Sequence, residues 1–135
     1  MSKLVWAIPC IRPIVDAGTN MVTYVDVIDS MAFPAFPAQA PFLVMATLWQ
    51  CEGESGLDMR VLLYGPEGNQ ILKVDADHAE IPAQIHRVRL HVVMPPFPIP
   101  VPGRYEYGIQ IRVKGKWNEV ARIPLDVEVP PPVTK

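Results

Sequence analysis

Serine, cysteine, charge and long apolar runs are all in short supply, and each shortage removes a class of function. Ser2, Ser30 and Ser55 are the only serines in 135 residues, and none neighbours a histidine or acid in a nucleophilic arrangement. Two cysteines, Cys10 and Cys51, are too few for a disulfide scaffold and lack zinc-ligand spacing, so free buried thiols are preferred over a pair. Charged residues make up 19% of the chain and the formal net charge is −2, which argues against binding nucleic acid or anionic membranes. The best apolar stretch, Pro41 to Trp49, is about half a membrane-spanning helix. Near the amino end, Arg12 and Pro13 interrupt an apolar stretch that has no signal-cleavage pattern. A cytoplasmic location is expected. No P-loop, dinucleotide fingerprint or nucleophile elbow is present.

Proline is what the chain has in excess: sixteen residues, about 12%, against an average near 5%. An interior proline removes a helical hydrogen bond and clashes with the preceding turn, so long helices are excluded. A hydrophobic share of 50% excludes disorder as the dominant state. At this length a single domain over residues 1–135 is expected.

Alternation with period two runs through the chain. Tyr105, Tyr107, Ile109, Ile111 and Val113 share one face, opposite Arg104, Glu106, Gln110, Arg112 and Lys114. Residues 119–129 continue this, and Lys114-Gly115-Lys116 turns the chain between the two strands. Hairpins are also predicted for 57–75 around Gly65–Asn69 and for 4–29 around Asp16–Asn20. Residues 42–51 and 84–93 add two longer strands. Phe42 to Trp49 is apolar on both faces save Thr47, which marks a central strand or one covered by another chain. The expected architecture is an all-β, two-layer antiparallel sandwich of the immunoglobulin-like kind, with about seven to nine strands. A short turn of helix is allowed near Asp77 to Ala83. Pro102-Gly103-Arg104-Tyr105 reads as a turn into a strand whose tyrosine hydroxyl tethers a nearby loop.

Two segments, Phe33–Pro41 and Met94–Pro102, alternate proline with apolar residues. Their reading as docking ligands for an aromatic groove yields to one as stiff sheet-to-sheet connections. In that second reading Phe33, Phe36, Phe97 and Ile99 cover the end of the core. Pro130-Pro131-Pro132 is expected to end the last strand.

Reactive side chains do not cluster, so no catalytic residue, metal site or cofactor is expected. Asp75, Asp77, His78 and Glu80 form an acidic loop without the glycine and spacing of a calcium loop, and read as solvated. Asp26 is placed on the face of Val22, Tyr24 and Ile28, where an inward carboxylate needs a partner; the blander reading is an edge-strand charge that deters aggregation. The strongest binding candidates are Arg87, Arg89 and His91, one stripe of a strand, able to receive an acidic protein surface or a phosphate. Cross-strand pairing of Arg87 and Arg89 with Glu106 or Glu119 is the preferred alternative, with Arg104, Arg112 and Lys114 as neighbours of the stripe. Among the tryptophans, Trp49 reads as core and Trp117 as the exposed one.

Lys3–Cys10, Val15–Asn20 and Val22–Ile28, with the Gly103-Arg104-Tyr105 turn, resemble a group of small uncharacterised bacterial proteins classed as a domain of unknown function. The resemblance implies a β-sandwich and a bacterial cytoplasmic origin, and brings no activity or catalytic residues. The expected role is a non-enzymatic interaction module, acting through a protein partner or as a homo-oligomer. A small-ligand or carbohydrate-binding domain using Trp117, Tyr64 or Tyr107 is the alternative, and a metal-dependent enzyme the third reading.

Overall fold

Where apolar and polar residues alternate, strands form. The computed structural model describes residues 1–131, in thirteen strands and no helix. In chain order they are β1 (Lys3–Val15), β2 (Val22–Val27), β3 (Ser30–Ala32), β4 (Ala38–Ala40) and β5 (Leu43–Gln50). Then come β6 (Gly56–Leu57), β7 (Met59–Tyr64), β8 (Gln70–Asp75), β9 (Ala79–Glu80) and β10 (Arg87–Met94). The last are β11 (Phe97–Ile99), β12 (Gly103–Val113) and β13 (Lys116–Glu128). Among the described residues, no helix is long and apolar enough to cross a membrane.

One large sheet has the order β10–β5–β1–β2 and the other β3–β13–β12–β7–β8, with two-stranded ladders β11–β4 and β6–β9 beside them. The sheets share one core. Met45, Trp49, Val92 and Met94 come from the first, and Met59, Leu63, Tyr105, Tyr107, Ile109 and Leu125 from the second. The alternation anticipated in β12 is present, with its tyrosines and isoleucines buried. Its turn to β13 holds Lys114 and Gly115 at φ 51° and 78°, the two left-handed positions of a tight hairpin. The Tyr105 hydroxyl donates to the Val101 carbonyl at 2.6 Å, the loop tether expected there.

The two proline segments pair with each other: Phe97 opposes Ala40 and Ile99 opposes Ala38. They carry the chain between the sheets, and Phe97 and Ile99 are fully buried. β13 ends at Glu128; Pro132 of the terminal proline run lies outside the described residues.

Four expectations are corrected. There are more, shorter strands than seven to nine, and the four-stranded sheet is not a plain layer. β5 pairs with Lys3–Cys10 of β1, whereas β2 pairs with Cys10–Val15, so the sheet curls and carries the distal half of β1 with β2 away from the edge of β5. No helix forms over 77–83: β9 pairs with β6, and the Ile81 N–H donates to the Ser55 carbonyl at 2.8 Å, which keeps the backbone extended that far; a single turn follows, with the Ile85 N–H on the Pro82 carbonyl at 2.9 Å. Asp26 does not point inward but lies exposed on β2, the edge strand of its sheet, as the edge-charge reading has it. Its φ is 53°, and a left-handed residue interrupts strand alternation.

β5 is central, as expected, and its single interior hydroxyl has work on both sides. Thr47 donates to the Leu90 carbonyl of β10 at 2.8 Å and accepts the Trp49 indole N–H at 2.8 Å. Thr47→Val keeps the shape but strands that indole N–H in the core. Its unfolding free energy in urea should fall by about 1–3 kcal/mol, and Thr47→Ser, which keeps the hydroxyl, should lose less.

Candidate functional site

The outer face of β5 has no second sheet above it, yet Val44, Ala46 and Leu48 are buried. Register assigns their neighbours. Trp6, Leu48 and Arg89 form one row, Ile8, Ala46 and His91 the next, and Cys10, Val44 and Val93 the third. Trp6 reaches this face because the pairing shifts between Leu4 and Trp6. Without that extra residue, Trp6 would oppose Thr47 and point into the core.

The cover is the hairpin made by the distal half of β1 and by β2. Tyr24 packs on Cys10, Val44 and Ala46. Its ring meets Trp6 edge-on, with centres 6.5 Å apart, and His91 likewise at 6.1 Å. Although the hairpin starts beside Val44, its tip reaches Arg89 on the far side of β5: Arg89 Nη1 donates to Asn20 Oδ1 at 3.2 Å and Nη2 to the Asn20 carbonyl at 2.8 Å. The hairpin therefore crosses back over the strand it covers. Its tip is preformed. Asp16 Oδ1 accepts the N–H groups of Gly18 (2.8 Å) and Thr19 (3.0 Å), bonds from Thr19 and Gly18 that hold its carboxyl below the usual range. Asn20 sits at φ 59°, a conformation asparagine tolerates.

Between tip and sheet lies a recess of about 410 Å³ lined by Trp6, Asn20, Leu48, Arg87 and Arg89. Among the described residues its walls hold two guanidinium groups, a partly exposed indole and an isobutyl floor, and no carboxylate. Arg87 has no hydrogen bond or ion pair among the described residues. A smaller hollow of about 180 Å³, beside Ser2, Gly56 and Arg112, includes Glu54, whose carboxylate is 3.1 Å from the terminal amine.

The five-stranded sheet presents a different surface. Arg60 bonds Asp75 at 2.6 Å and lies 3.9 Å from the centre of the Trp117 ring. Arg122 bonds Glu119 at 3.0 Å, approaches Glu106 at 3.8 Å and covers the Tyr64 ring at 3.9 Å. Arg104 bonds Asp126 at 3.0 Å. The expected pairing of Arg87 and Arg89 with Glu106 or Glu119 is therefore corrected, as is their grouping with Arg104, Arg112 and Lys114. β10 borders β5, not β12. Trp117 is separated from the stripe and half-covered; Trp6 is the most exposed tryptophan, at 37%. Tyr107 is fully buried. Arg87, Arg89 and His91 do share one face. Asn20 and Tyr24 were not foreseen as site residues; the asparagine closing a five-residue turn was the signal available.

In the acidic loop, Asp75 is engaged by Arg60, and His78 Nδ1 lies 2.7 Å from Asp58. Among the described residues, no group of three or more His, Cys, Asp and Glu is placed to hold a metal ion. Cys10 and Cys51 are both buried and free, in separate clusters on the two sides of the sheet. A sequence model described as a family of unknown function (DUF6941) matches residues 14–128. That span includes Asn20, Leu48, Arg87, Arg89 and His91 and leaves out Trp6. No curated protein matches the chain.

His91 is half-buried under Tyr24, its Nε2 without a partner. Burial first, and the Arg89 charge second, push its pKa below the ordinary 6.5. A histidine harder to protonate when folded binds more protons when unfolded, so stability rises with pH across the window. Its contribution is whole above pH 6.5 and is lost as pH falls from there towards the folded-state value. Urea titrations at steps from pH 7.5 to 5 should show this loss, and His91→Gln should remove that part of the slope.

Proposed function

We propose, for a chain that thus belongs to a family of unknown function, a non-enzymatic interaction module that docks an acidic segment of a partner protein in the Arg87–Arg89–Trp6 recess. The observation that carries this reading is a contrast between faces. Three of the four arginines of the five-stranded sheet, Arg60, Arg104 and Arg122, each hold a carboxylate, whereas on the other face, among the described residues, Arg87 holds none and Arg89 holds only the neutral acceptors of Asn20. Guanidinium groups satisfy their fixed fork of donors best on carboxylates, with two bonds at once. Trp6 and Leu48 add apolar surface beside that charge, and tryptophan and arginine together are the residue types that dominate binding energy at interfaces. Among the described residues, the recess lining contains no serine, cysteine, histidine or acid, which supports binding over catalysis. The glycan-stacking alternative is less favoured, because Arg60 covers a face of Trp117, Arg122 covers a face of Tyr64, and Tyr107 is interior. The immunoglobulin-like arrangement belongs to the same proposal, supported by the shared core and the Tyr105 tether.

A fluorescein-labelled peptide, Glu-Leu-Glu-Glu-Leu-Glu, should bind the protein with an anisotropy rise that weakens as salt is added. Arg87→Glu with Arg89→Glu should weaken binding by about tenfold or more, while Arg112→Glu should leave it unchanged. Equal binding by the doubly reversed protein would sink the reading. Light scattering identifies the partner class: a mass independent of concentration fits a separate protein, and a dimer abolished by the double reversal identifies a second copy.

A further inference from the structure

We propose that Asn20 is a placeholder for the partner's carboxylate: the acidic segment seats on Arg89 by displacing the hairpin tip, and its docking lifts the β1–β2 hairpin from the outer face of β5. The inference rests on the docking reading above and adds its switch.

Arg89 gives both of its hydrogen bonds to one residue, to a side-chain oxygen at 3.2 Å and a backbone oxygen at 2.8 Å. Two oxygens from one source are what a carboxylate would offer the same fork, with a full negative charge in addition. The guanidinium is charged in either case, so the gain on exchange is the acceptor's own charge and a carboxylate geometry that matches the fork, and both favour the incoming acid at Arg89. The tip is built to move as one piece. Asn20 N–H donates to the Asp16 carbonyl and Asp16 N–H to that of Met21, each at 2.8 Å, and neither bond involves the sheet beneath.

The cover is also imperfectly seated. The Tyr24 hydroxyl and His91 Nε2 are both buried there without a hydrogen-bond partner among the described residues, and a buried polar atom left unpaired costs free energy. A hinge is in place as well. β1 pairs with β5 only as far as Cys10, so lifting the rest of β1 with β2 breaks no rung of the β1–β5 ladder. Lifting uncovers Cys10, Val44 and Ala46, an apolar strip next to the leucines of a docked acidic segment.

Cys10 supplies the readout, being fully buried under the hairpin, while Cys51 lies in the main core. The full chain is labelled with a thiol reagent, with and without the Glu-Leu-Glu-Glu-Leu-Glu peptide, and the modified cysteine is located by mass spectrometry. The peptide should raise Cys10 labelling by about tenfold, as expected for opening of a local unit, with Cys51 unchanged. The same peptide with glutamine for glutamate should do neither. Asn20→Gly keeps the left-handed backbone and deletes one competing acceptor, so it should bind the peptide about threefold tighter and label faster at Cys10 even alone. Peptide binding that needs Arg87 and Arg89 but leaves Cys10 labelling flat overturns the placeholder and leaves the docking reading standing. Failure of the peptide to bind both the native protein and Asn20→Gly removes both.

Discussion

β5 has to be kept dry on both sides. Leu43, Met45 and Trp49 face the shared core, and Val44, Ala46 and Leu48 face away from it, all of them buried. Apolar side chains lose their stabilising effect where water reaches them, so the outer face needs a cover that the five-stranded sheet, lying on the other side, cannot supply. The hairpin answers that need, and its return path places Asn20 on Arg89 and Tyr24 between Trp6 and His91. The candidate site is thus a by-product of covering one strand. A hairpin is a narrow cover, and the recess is the gap it leaves at its tip.

That origin accounts for the chemistry found there. On the five-stranded sheet the outward side chains are in rungs of paired strands, where Arg122 finds Glu119 and Glu106 and Arg60 finds Asp75. Three of that sheet's arginines are paired in this way, and Arg112 of β12 is left without a carboxylate among the described residues. On the four-stranded sheet the outward rungs hold Trp6, Leu48 and Arg89, which pair by shape but not by charge. Among the described residues, Arg89 meets only the neutral oxygens of one turn residue, Asn20. Uncompensated guanidinium beside indole is a surface suited to a partner that brings both acid and apolar groups.

Much of this was legible from period-two patterning. The buried face of β12, the common face of Arg87, Arg89 and His91, and the two-sided apolar character of Phe42–Trp49 all follow from alternation. The packing role of Phe97 and Ile99 follows from prolines spaced among residues that demand burial. What alternation could not deliver was adjacency. Which strand flanks β10 is decided by a crossover through the proline segments, so the arginine stripe meets Leu48 and Trp6 instead of the acids of β12 and β13. Nor could it deliver the exceptions. The extra residue near Val5 turns Trp6 to the outer face, and the left-handed Asp26 turns a carboxylate to solvent. Each is a single backbone irregularity with no signature in side-chain pattern, and the first decides the composition of the site.

The central claim is that acid recognition is confined to the recess beneath the hairpin tip. Arginine Nε–H and tryptophan Nε1–H signals in a ¹⁵N correlation spectrum report each guanidinium and indole separately, and can be followed while the acidic peptide is added. The account predicts that Arg87, Arg89 and Trp6 shift together with one saturation curve, while Arg60, Arg104, Arg122 and Trp117 stay in place. Movement at Trp117 and Arg60, with Arg87 and Arg89 unmoved, would contradict it.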